Sequence, residues 1–409
     1  MIAQILRDSR VIVNVGSGGV GKTTVSAAMA LGAAIAGRKS LVMTIDPARR
    51  LANALGIESA AFGSDHPFEV DAARFAEAGV ACEGRFFAMM LNHKETFDRL
   101  VDRYAPNADS AESLKENPWY QQMSTALAGA QDYMAVSRLH ELVETGAYDL
   151  IVLDTPPTAN AIDFLEAPER LMGVLNFQPL QWFQKHVSDE GSQAGRLLRW
   201  GGASLLRALG RVTGREVIDD VSQLLQELGG LYDGFRLHAQ ETEKLLRAPH
   251  SQFFMVTAPQ RTSILEALFF QKRLLEARMP FAGFWVNRVP GYLRHGEGWL
   301  ALVNEKDLPS EQAIEVALRG LPSMQGEQGA LGTIARELRA YHRFVYAAAE
   351  LAHREIVFLR ERAIGKPFVG RLPLVNEEIH DLVGLARLSQ TLLQGGVAST
   401  SFPDSEHST

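Results

Sequence analysis

The chain has 409 residues, of which 46% are hydrophobic and 22% are charged, and its formal net charge is −7. This balance is typical of a globular protein with a sizeable core, and it argues against a nucleic-acid-coating surface or a patch for anionic membranes. The single cysteine, Cys82, excludes an intrachain disulfide and a cysteine-based metal site within one chain. Arg7, Asp8 and Arg10 interrupt any signal-peptide core, and no apolar run approaches membrane-spanning length. We therefore expect a cytoplasmic protein with no nucleic-acid partner and no stable membrane insertion.

The first motif is a glycine-rich loop between a predicted strand and a predicted helix. Residues 11–15 are mostly β-branched, residues 16–23 follow the pattern Gly-x-x-x-x-Gly-Lys-Thr, and residues 24–36 form an alanine-rich helical run. In such a loop the backbone N–H groups bind phosphates, Lys22 reaches the β- and γ-phosphates, and the Thr23 hydroxyl ligates Mg²⁺. The predicted binding residues for ATP and Mg²⁺ here are Gly18, Gly19, Val20, Gly21, Lys22, Thr23 and Thr24.

A carboxylate follows the next predicted strand. Residues 40–45 form a buried-strand pattern, Asp46 stands at its C-terminal end, and a helix is predicted over residues 48–55. In an open parallel sheet that end faces the ligand, so Asp46 is a predicted catalytic residue that orients the water attacking the γ-phosphate, alongside Lys22. The alternative is that Asp46 caps the following helix, and the two roles are compatible.

A second carboxylate, Asp154, follows a short apolar strand predicted over residues 149–153. Between the two carboxylates lie another apolar segment, residues 84–91, and a stretch with helical spacing, residues 94–144. Asp154 stands where a phosphate-loop ATPase needs its second carboxylate, so we expect it to hold Mg²⁺ together with Thr23. The prediction requires the three strands before these motifs to be parallel, which the helix-containing connections between them allow.

The second half of the chain contains a long helical region and three more predicted strands. Residues 168–250 carry many apolar residues at helical spacing, which indicates either a helical cover of the core or a groove for a hydrophobic client. Residues 291–347 have the character of a charged, helical insertion. The predicted strands are residues 253–257, 281–286 and 367–372.

Asn287 ends the second of these strands, and its amide suits either the edge of adenine or a local cap. An amphipathic helix is predicted over residues 380–393, and the Ser/Thr-rich residues 397–409 are expected to be disordered. Strands that alternate with helices predict an α/β fold with a doubly wound, mainly parallel sheet. We expect a single domain over residues 1–395, with helical insertions rather than separate domains.

Five motifs occur in order along the chain: GSGGVGKTT at residues 16–24, TIDPARRL at 44–51, DTPPT at 154–158, VNRV at 286–289 and LPLV at 372–375. Their order and spacing resemble the ArsA/Get family of ATPases, the arsenical pump-driving and tail-anchored-protein-targeting branch of the deviant Walker A class. The resemblance extends over residues 10–394 and is nearest to bacterial ArsA-like anion-transporting ATPases. It implies a P-loop NTPase fold of the SIMIBI type.

The resemblance implies roles for individual residues at the phosphate end. Lys22 and Thr23 match the family's phosphate and Mg²⁺ residues. Asp46 matches its switch I aspartate, which positions water, and Asp154 matches its switch II aspartate.

The resemblance also implies an adenine site and partners. Asn287 with the loop from Pro373 to Val375 matches the family's adenine site, so Pro373 and Val375 become predicted nucleotide-binding residues. Members of the family dimerise with ATP between the subunits, and opening and closing of the dimer moves a helical client site. That site would correspond to residues 168–250, with a hydrophobic or membrane protein as the first class of client to test.

This chain departs from the family pattern at three places. The family's defining lysine, which crosses the dimer to the partner's phosphates, is Ser17 here, and a serine cannot supply that cation. The zinc-binding cysteine pair of targeting members and the arsenite-binding cysteines of pump-driving members are absent. The switch II position usually occupied by histidine is Asn160. Arg49 or Arg50 is the nearest replacement cation by sequence, with the alternative that both face solvent.

Two hypotheses follow from these observations. The first is a Mg²⁺-dependent ATPase with low intrinsic turnover that couples rearrangement of a dimer to an unidentified client. The second is a nucleotide-binding switch or scaffold in a heterodimer whose paralogous partner supplies the missing lysine. Turnover by the isolated chain favours the first hypothesis, whereas tight ATP binding without turnover favours the second.

Overall fold

The computed structural model describes residues 1–45, 51–52, 55, 65–118, 120–121, 130–155, 215–295, 298–301, 309–324, 329–375, 379 and 381–396. The strands in chain order are β1 Val11–Val15, β2 Lys39–Thr44, β3 Phe68–Val70, β4 Arg85–Met90, β5 Leu150–Asp154, β6 Ser251–Thr257, β7 Phe281–Val289, β8 Tyr292–His295, β9 Gly298–Ala301 and β10 Phe368–Pro373. The helices are α1 Ile2–Asp8, α2 Lys22–Ile35, α3 Ala72–Glu77, α4 His93–Tyr104, α5 Ala108–Glu116, α6 Ala130–Glu144, α7 Arg215–Arg247, α8 Arg261–Glu276, α9 Glu311–Arg319, α10 Leu331–Arg362 and α11 Leu382–Leu393.

Eight strands form one sheet in the order β10-β7-β6-β1-β5-β2-β4-β3, and β8 pairs with β9 in a separate antiparallel hairpin. Neighbours in the main sheet are parallel except for β3 and β4. β1 lies between β5 and β6, with Asn14 in register with Asp154 on one side and Phe254 on the other. The predicted doubly wound, mainly parallel sheet is thus confirmed, and the strands that precede the loop and Asp154 are adjacent and parallel.

Both faces of the sheet are covered, which explains why the central strands are apolar throughout. Along β1, Val11, Val13 and Val15 belong to one hydrophobic cluster, whereas Ile12 belongs to the other. Helices α4, α5, α6, α7, α8 and α10 supply side chains to the first cluster, and α1, α2 and α11 supply side chains to the second. Successive side chains of a strand point to opposite faces of the sheet, so each face is covered by its own layer of helices.

Helix α2 is alanine-rich because it is packed tightly between the sheet and α11. A Cβ atom added to Gly32 would lie 2.6 Å from the Ser389 Oγ atom, so only a small residue lets the two helices approach this closely. Ala27 and Ala30 are fully buried in the same helix. This packing holds the start of α2, and with it Lys22, at the end of β1.

Residues 291–347 differ from the predicted helical insertion. They begin with the β8-β9 hairpin, whose four-residue strands are too short to give a periodicity signal. Helices α9 and α10 follow, and α10 continues past residue 347, where Ile356 and Leu359 are buried in the first cluster. The part of α10 beyond residue 347 therefore belongs to the core layer, whereas Leu331 and Ala335 at its start pack in a separate small cluster.

Several sequence predictions fall outside the described residues. These are Asp46 with Arg49 and Arg50, the turn at residues 156–158, Asn160, residues 168–214 of the long helical region, and residues 397–409. Residues 215–247 of the same region are described and form α7, as the spacing predicted. In the portions of the chain listed above, no helix has both the length and the apolar composition needed to cross a membrane.

Candidate functional site

The phosphate-binding loop lies at the C-terminal end of β1, in the middle of the sheet. Gly16 follows the strand, and a Cβ atom there would lie 2.1 Å from the backbone oxygen of Val256 on β6. Gly21 has φ +91° and is the N-cap residue of α2. The spacing of the motif thus meets two steric requirements, because the loop must pass close to β6 and turn into the helix through a left-handed residue. The N–H groups of the first turn of α2 face the loop side of the helix, and the start of a helix is a place where an anion can bind.

The side chain of Lys22 is buried against this loop. Its Nζ atom donates hydrogen bonds to the carbonyl oxygen of Gly16 at 2.7 Å and to that of Ser17 at 2.9 Å. The ammonium group is therefore held beside the segment whose N–H groups are predicted to bind phosphate. Ser17 is half-buried, and the atom it presents to Lys22 is its carbonyl oxygen rather than its hydroxyl.

Asp154, at the end of β5, contacts both the start of α2 and the end of β2. Its Oδ2 atom accepts a hydrogen bond from the Thr23 hydroxyl at 2.7 Å and another from the Thr44 hydroxyl at 2.9 Å. Thr23 stands at the start of α2 after β1, Thr44 ends β2, and Asp154 ends β5 and is 1% exposed. The structure thus brings together the two predicted Mg²⁺ residues. Sequence reasoning assigned no role to Thr44, although a polar residue at the end of an apolar strand next to Asp154 was a usable signal.

A line of buried hydrogen bonds connects this carboxylate strand to α2. Thr155 donates through its hydroxyl to the carbonyl oxygen of Asn14 at 2.9 Å. The Asn14 side-chain amide donates to the Ser26 hydroxyl at 2.9 Å, and that hydroxyl donates to the carbonyl oxygen of Lys22 at 2.9 Å. β5, β1 and α2 are therefore tied together directly beneath the loop, which limits movement of the Lys22 backbone relative to Asp154.

The predicted adenine residues lie at the ends of β7 and β10. The Asn287 side-chain amide donates to the carbonyl oxygen of Val20 in the loop at 2.8 Å, and its oxygen accepts from the Arg288 N–H at 2.9 Å. Pro373 is buried and pairs with Val289, whereas Val375 is exposed. Asn287 therefore contacts the phosphate-binding loop itself, a contact that the sequence did not predict, and it joins the two ends of the proposed nucleotide site.

The residues present fit a Mg²⁺-nucleotide. A hydroxyl and a carboxylate, from Thr23 and Asp154, are the hard oxygen ligands that Mg²⁺ prefers. Gly16 and Gly21 let the loop pass close to Val256 and Asn287, where a side chain on either glycine would clash. Asp46, the predicted catalytic carboxylate, lies outside the described residues.

A central parallel strand that ends in this loop, with lysine and threonine at the start of the next helix and an aspartate on the adjacent strand, defines the class of P-loop nucleotide-binding proteins. A family model described as "Anion-transporting ATPase" matches residues 9–291. The chain therefore belongs to the anion-transporting ATPase family, a family of P-loop ATPases.

Individual relatives agree with this membership. The chain is 28% identical over 214 residues to the protein named ATPase get3 from Aspergillus terreus, which covers 52% of this chain and 55% of the relative. It is 30% identical over 184 residues to a putative arsenical pump-driving ATPase of Halobacterium salinarum, covering 43% and 26%. It is also 33% identical over 166 residues to an uncharacterised protein of Streptomyces coelicolor, covering 41% and 39%. The chain thus spans about half or less of the length of each of these relatives.

Proposed function

We propose that this protein is a Mg²⁺-dependent cytoplasmic ATPase that couples ATP binding and hydrolysis to rearrangement of a dimer and to the handling of a client protein. The observation that carries the proposal is that the hydroxyls of Thr23 and Thr44 both donate to one carboxylate oxygen of Asp154, while the neighbouring Lys22 is held against the loop. This arrangement joins the phosphate-binding loop to the strand that supplies a Mg²⁺ ligand. It is the arrangement that phosphoryl transfer from a nucleotide requires.

Each residue has a distinct part in the proposed reaction. Lys22 moves from the loop carbonyl groups onto the β- and γ-phosphates and offsets their charge. Thr23 and Asp154 would hold Mg²⁺, which when bound supplies positive charge for the transferring phosphoryl group. Asp46 orients the attacking water, and Asn287 with the loop from Pro373 to Val375 positions the adenine.

The dimer and the client are proposed from the family. Relatives of this chain are named for the get3 ATPase and for arsenical pump driving. Cys82 is the single cysteine, so a thiolate site for arsenite within one chain is disfavoured, and a protein client is favoured over an oxyanion. Residues 168–250 are the proposed client-binding region.

ATP turnover by the purified full-length chain tests the proposal. We expect Mg²⁺-dependent hydrolysis that Lys22→Ala abolishes. The control is Lys272→Ala, because Lys272 lies on α8 with a side chain that is 64% exposed and whose Nζ atom lies 3.9 Å from a carboxylate oxygen of Glu276. Hydrolysis in Lys22→Ala at the wild-type rate would contradict the catalytic assignment, and loss of hydrolysis in both variants would point to a general loss of folding.

Ser17 favours a second candidate, a nucleotide-dependent switch that acts in a heterodimer. The side chain is short and uncharged, so it cannot supply a cation to a partner's phosphates. In this case the isolated chain binds ATP tightly without turnover, and a paralogue carrying the loop lysine restores turnover. Measurement of ATP affinity and turnover on the same preparation separates the two candidates.

A further inference from the structure

Helices α6 and α7 bring three metal-binding side chains together, away from the phosphate-binding loop. His140 and Glu144 lie four residues apart on α6 and therefore share one face of that helix, and Glu241 lies on α7. One ligand atom of each of the three side chains lies within 4.8 Å of the ligand atoms of the other two. An imidazole with two carboxylates is a donor set that suits divalent transition metals.

A buried nitrogen atom of His140 provides a second, independent observation that points to a bound ion. The Nδ1 atom of His140 has no hydrogen-bond partner in the part of the chain that the structure describes, and it lies 3.7 Å from the Glu144 Oε2 atom. His140 is 8% exposed, so its side chain lies almost entirely out of contact with solvent. A buried polar atom without a partner is costly, and a metal ion between His140 and Glu144 would satisfy it.

The surroundings of these residues restrict their orientation. The ring of His238 on α7 is fully buried, packs edge-on against His140 with ring centroids 5.1 Å apart, and is fixed by a 2.8 Å contact between its Nε2 atom and the Ser137 hydroxyl. Arg103 on α4 donates to both carboxylate oxygens of Glu144, to Oε2 at 2.9 Å and to Oε1 at 3.4 Å. Metal-binding carboxylates are commonly held by a further donor of this kind, which orients them before the ion arrives.

We propose that His140, Glu144 and Glu241 form a binding site for a divalent transition-metal ion that bridges α6 and α7. Donor atoms of such a site lie about 2.0–2.2 Å from the ion, so donor atoms that now lie up to 4.8 Å apart must draw closer together, which the flexible side chain of half-buried Glu241 allows. The bound ion ties the helix before β5 to the helix before β6. It therefore stabilises the helical layer without touching the residues proposed for ATP.

Zn²⁺ is the probe for the test, added to tag-free full-length protein in the absence of nucleotide and with Mg²⁺ in excess, so that the phosphate end does not contribute. We expect calorimetry to give one Zn²⁺ per chain and thermal unfolding to shift to higher temperature. Glu241→Gln and His140→Gln should each weaken binding by about tenfold or more. Glu243→Gln is the matched control, because Glu243 lies two residues further along α7 and pairs with Arg247 at 2.7 Å.

The outcomes are distinguishable from one another. Weakened binding in Glu241→Gln with unchanged binding in Glu243→Gln supports the site, and Glu241→Gln is expected to fold because this side chain is only half-buried. Equal binding by the wild type and by Glu241→Gln, or no stoichiometric binding by the wild type, overturns the proposal. Loss of binding in Cys82→Ser alone would likewise overturn it, by placing the ion at the thiol.

Discussion

Among the described residues, Asp154 and Asp65 are carboxylates that are almost completely buried, and their partners differ in kind. Asp154, 1% exposed, accepts hydrogen bonds from the hydroxyls of Thr23 and Thr44 at the phosphate end of the sheet. Asp65, 0% exposed, forms ion pairs with Arg99 and Arg138 in the helical layer. Hydroxyl donors orient a carboxylate oxygen without neutralising its charge, whereas guanidinium groups do both.

The environment of Asp65 extends this contrast. Its Oδ1 atom also accepts a hydrogen bond from the Asn92 N–H at 3.1 Å, and Glu141 joins the same cluster through Arg138 at 2.9 Å. The cluster connects the start of α4 to α6. Asp65 is therefore suited to holding helices together, and Asp154 is suited to attracting a cation. Substitutions at the two residues test whether Asp154 serves function and Asp65 serves stability.

The largest expected effect is that of Asp154→Asn. The amide keeps the size of the side chain but removes the charge that would hold Mg²⁺, so ATP hydrolysis should fall by about a hundredfold or more. The free energy of unfolding without nucleotide should change little. Steady-state turnover at several Mg²⁺ concentrations, together with urea unfolding, checks both statements. Hydrolysis within tenfold of the wild-type rate would contradict the role of Asp154.

Asp65→Asn should have the opposite effect. Removing the charge leaves Arg99 and Arg138 facing a neutral group in a buried cluster, and breaking such a pair costs about 3 kcal/mol of unfolding free energy. ATP binding by the folded protein should be retained. The control is Glu69→Gln, which breaks the exposed pair of Glu69 with Arg85 and should leave the urea midpoint unchanged. Equal stability of Asp65→Asn and wild type would show that the cluster does not hold the helices.

The next effect concerns the loop that joins the phosphate and adenine ends. A Cβ atom on Gly21 would lie 2.3 Å from the Asn287 Nδ2 atom, whereas one on Gly19 has no atom within 4 Å, and both residues have positive φ. Gly19→Ala should therefore cost about 1 kcal/mol of unfolding free energy for backbone strain, and Gly21→Ala about 2 kcal/mol or more. Urea unfolding without nucleotide measures both.

A double variant separates strain from collision at Gly21. Adding Asn287→Ala to Gly21→Ala removes the atom that the new Cβ meets, so the double variant should recover part of the lost stability. Strictly additive losses would mean that the two side chains do not meet. Losses of the same size in Gly19→Ala and Gly21→Ala would also contradict the close approach.

A smaller effect is expected for Thr44→Val, which removes one donor to Asp154 and keeps the volume. A hydrogen bond to a charged group contributes about 1.5 kcal/mol, so the Mg²⁺ concentration for half-maximal hydrolysis should rise by about tenfold. Thr44→Ser retains the hydroxyl and should restore the wild-type requirement for Mg²⁺. If both variants behave alike, the hydroxyl does not position Asp154.

These two carboxylates also show what the sequence predicts and what it cannot. The loop and the strand before Asp154 are local patterns, and the order of parallel strands then brings Thr23 to Asp154 although 131 residues separate them. Asp65 contacts Arg99 and Arg138, which lie 34 and 73 residues away in the sequence, because helices pack against each other. No short sequence motif predicts such contacts. The β8-β9 hairpin was missed for a different reason, since four-residue strands carry too few alternations to detect.

The smallest expected effect is the pH dependence contributed by His93, the first residue of α4, which lies near Asp65. Burial lowers the pKa of His93 below its ordinary value, and the negative charge of Asp65 raises it by less. The unfolded chain therefore binds a proton below about pH 6.5 that the folded protein takes up only at lower pH. The stability that His93 contributes is fully present above about pH 6.5 and is lost as the pH falls towards the pKa of His93 in the folded protein. His93→Gln should flatten this part of the curve of unfolding free energy against pH between 7 and 5, and an unchanged slope would mean that His93 is as readily protonated in the folded protein as in the unfolded chain.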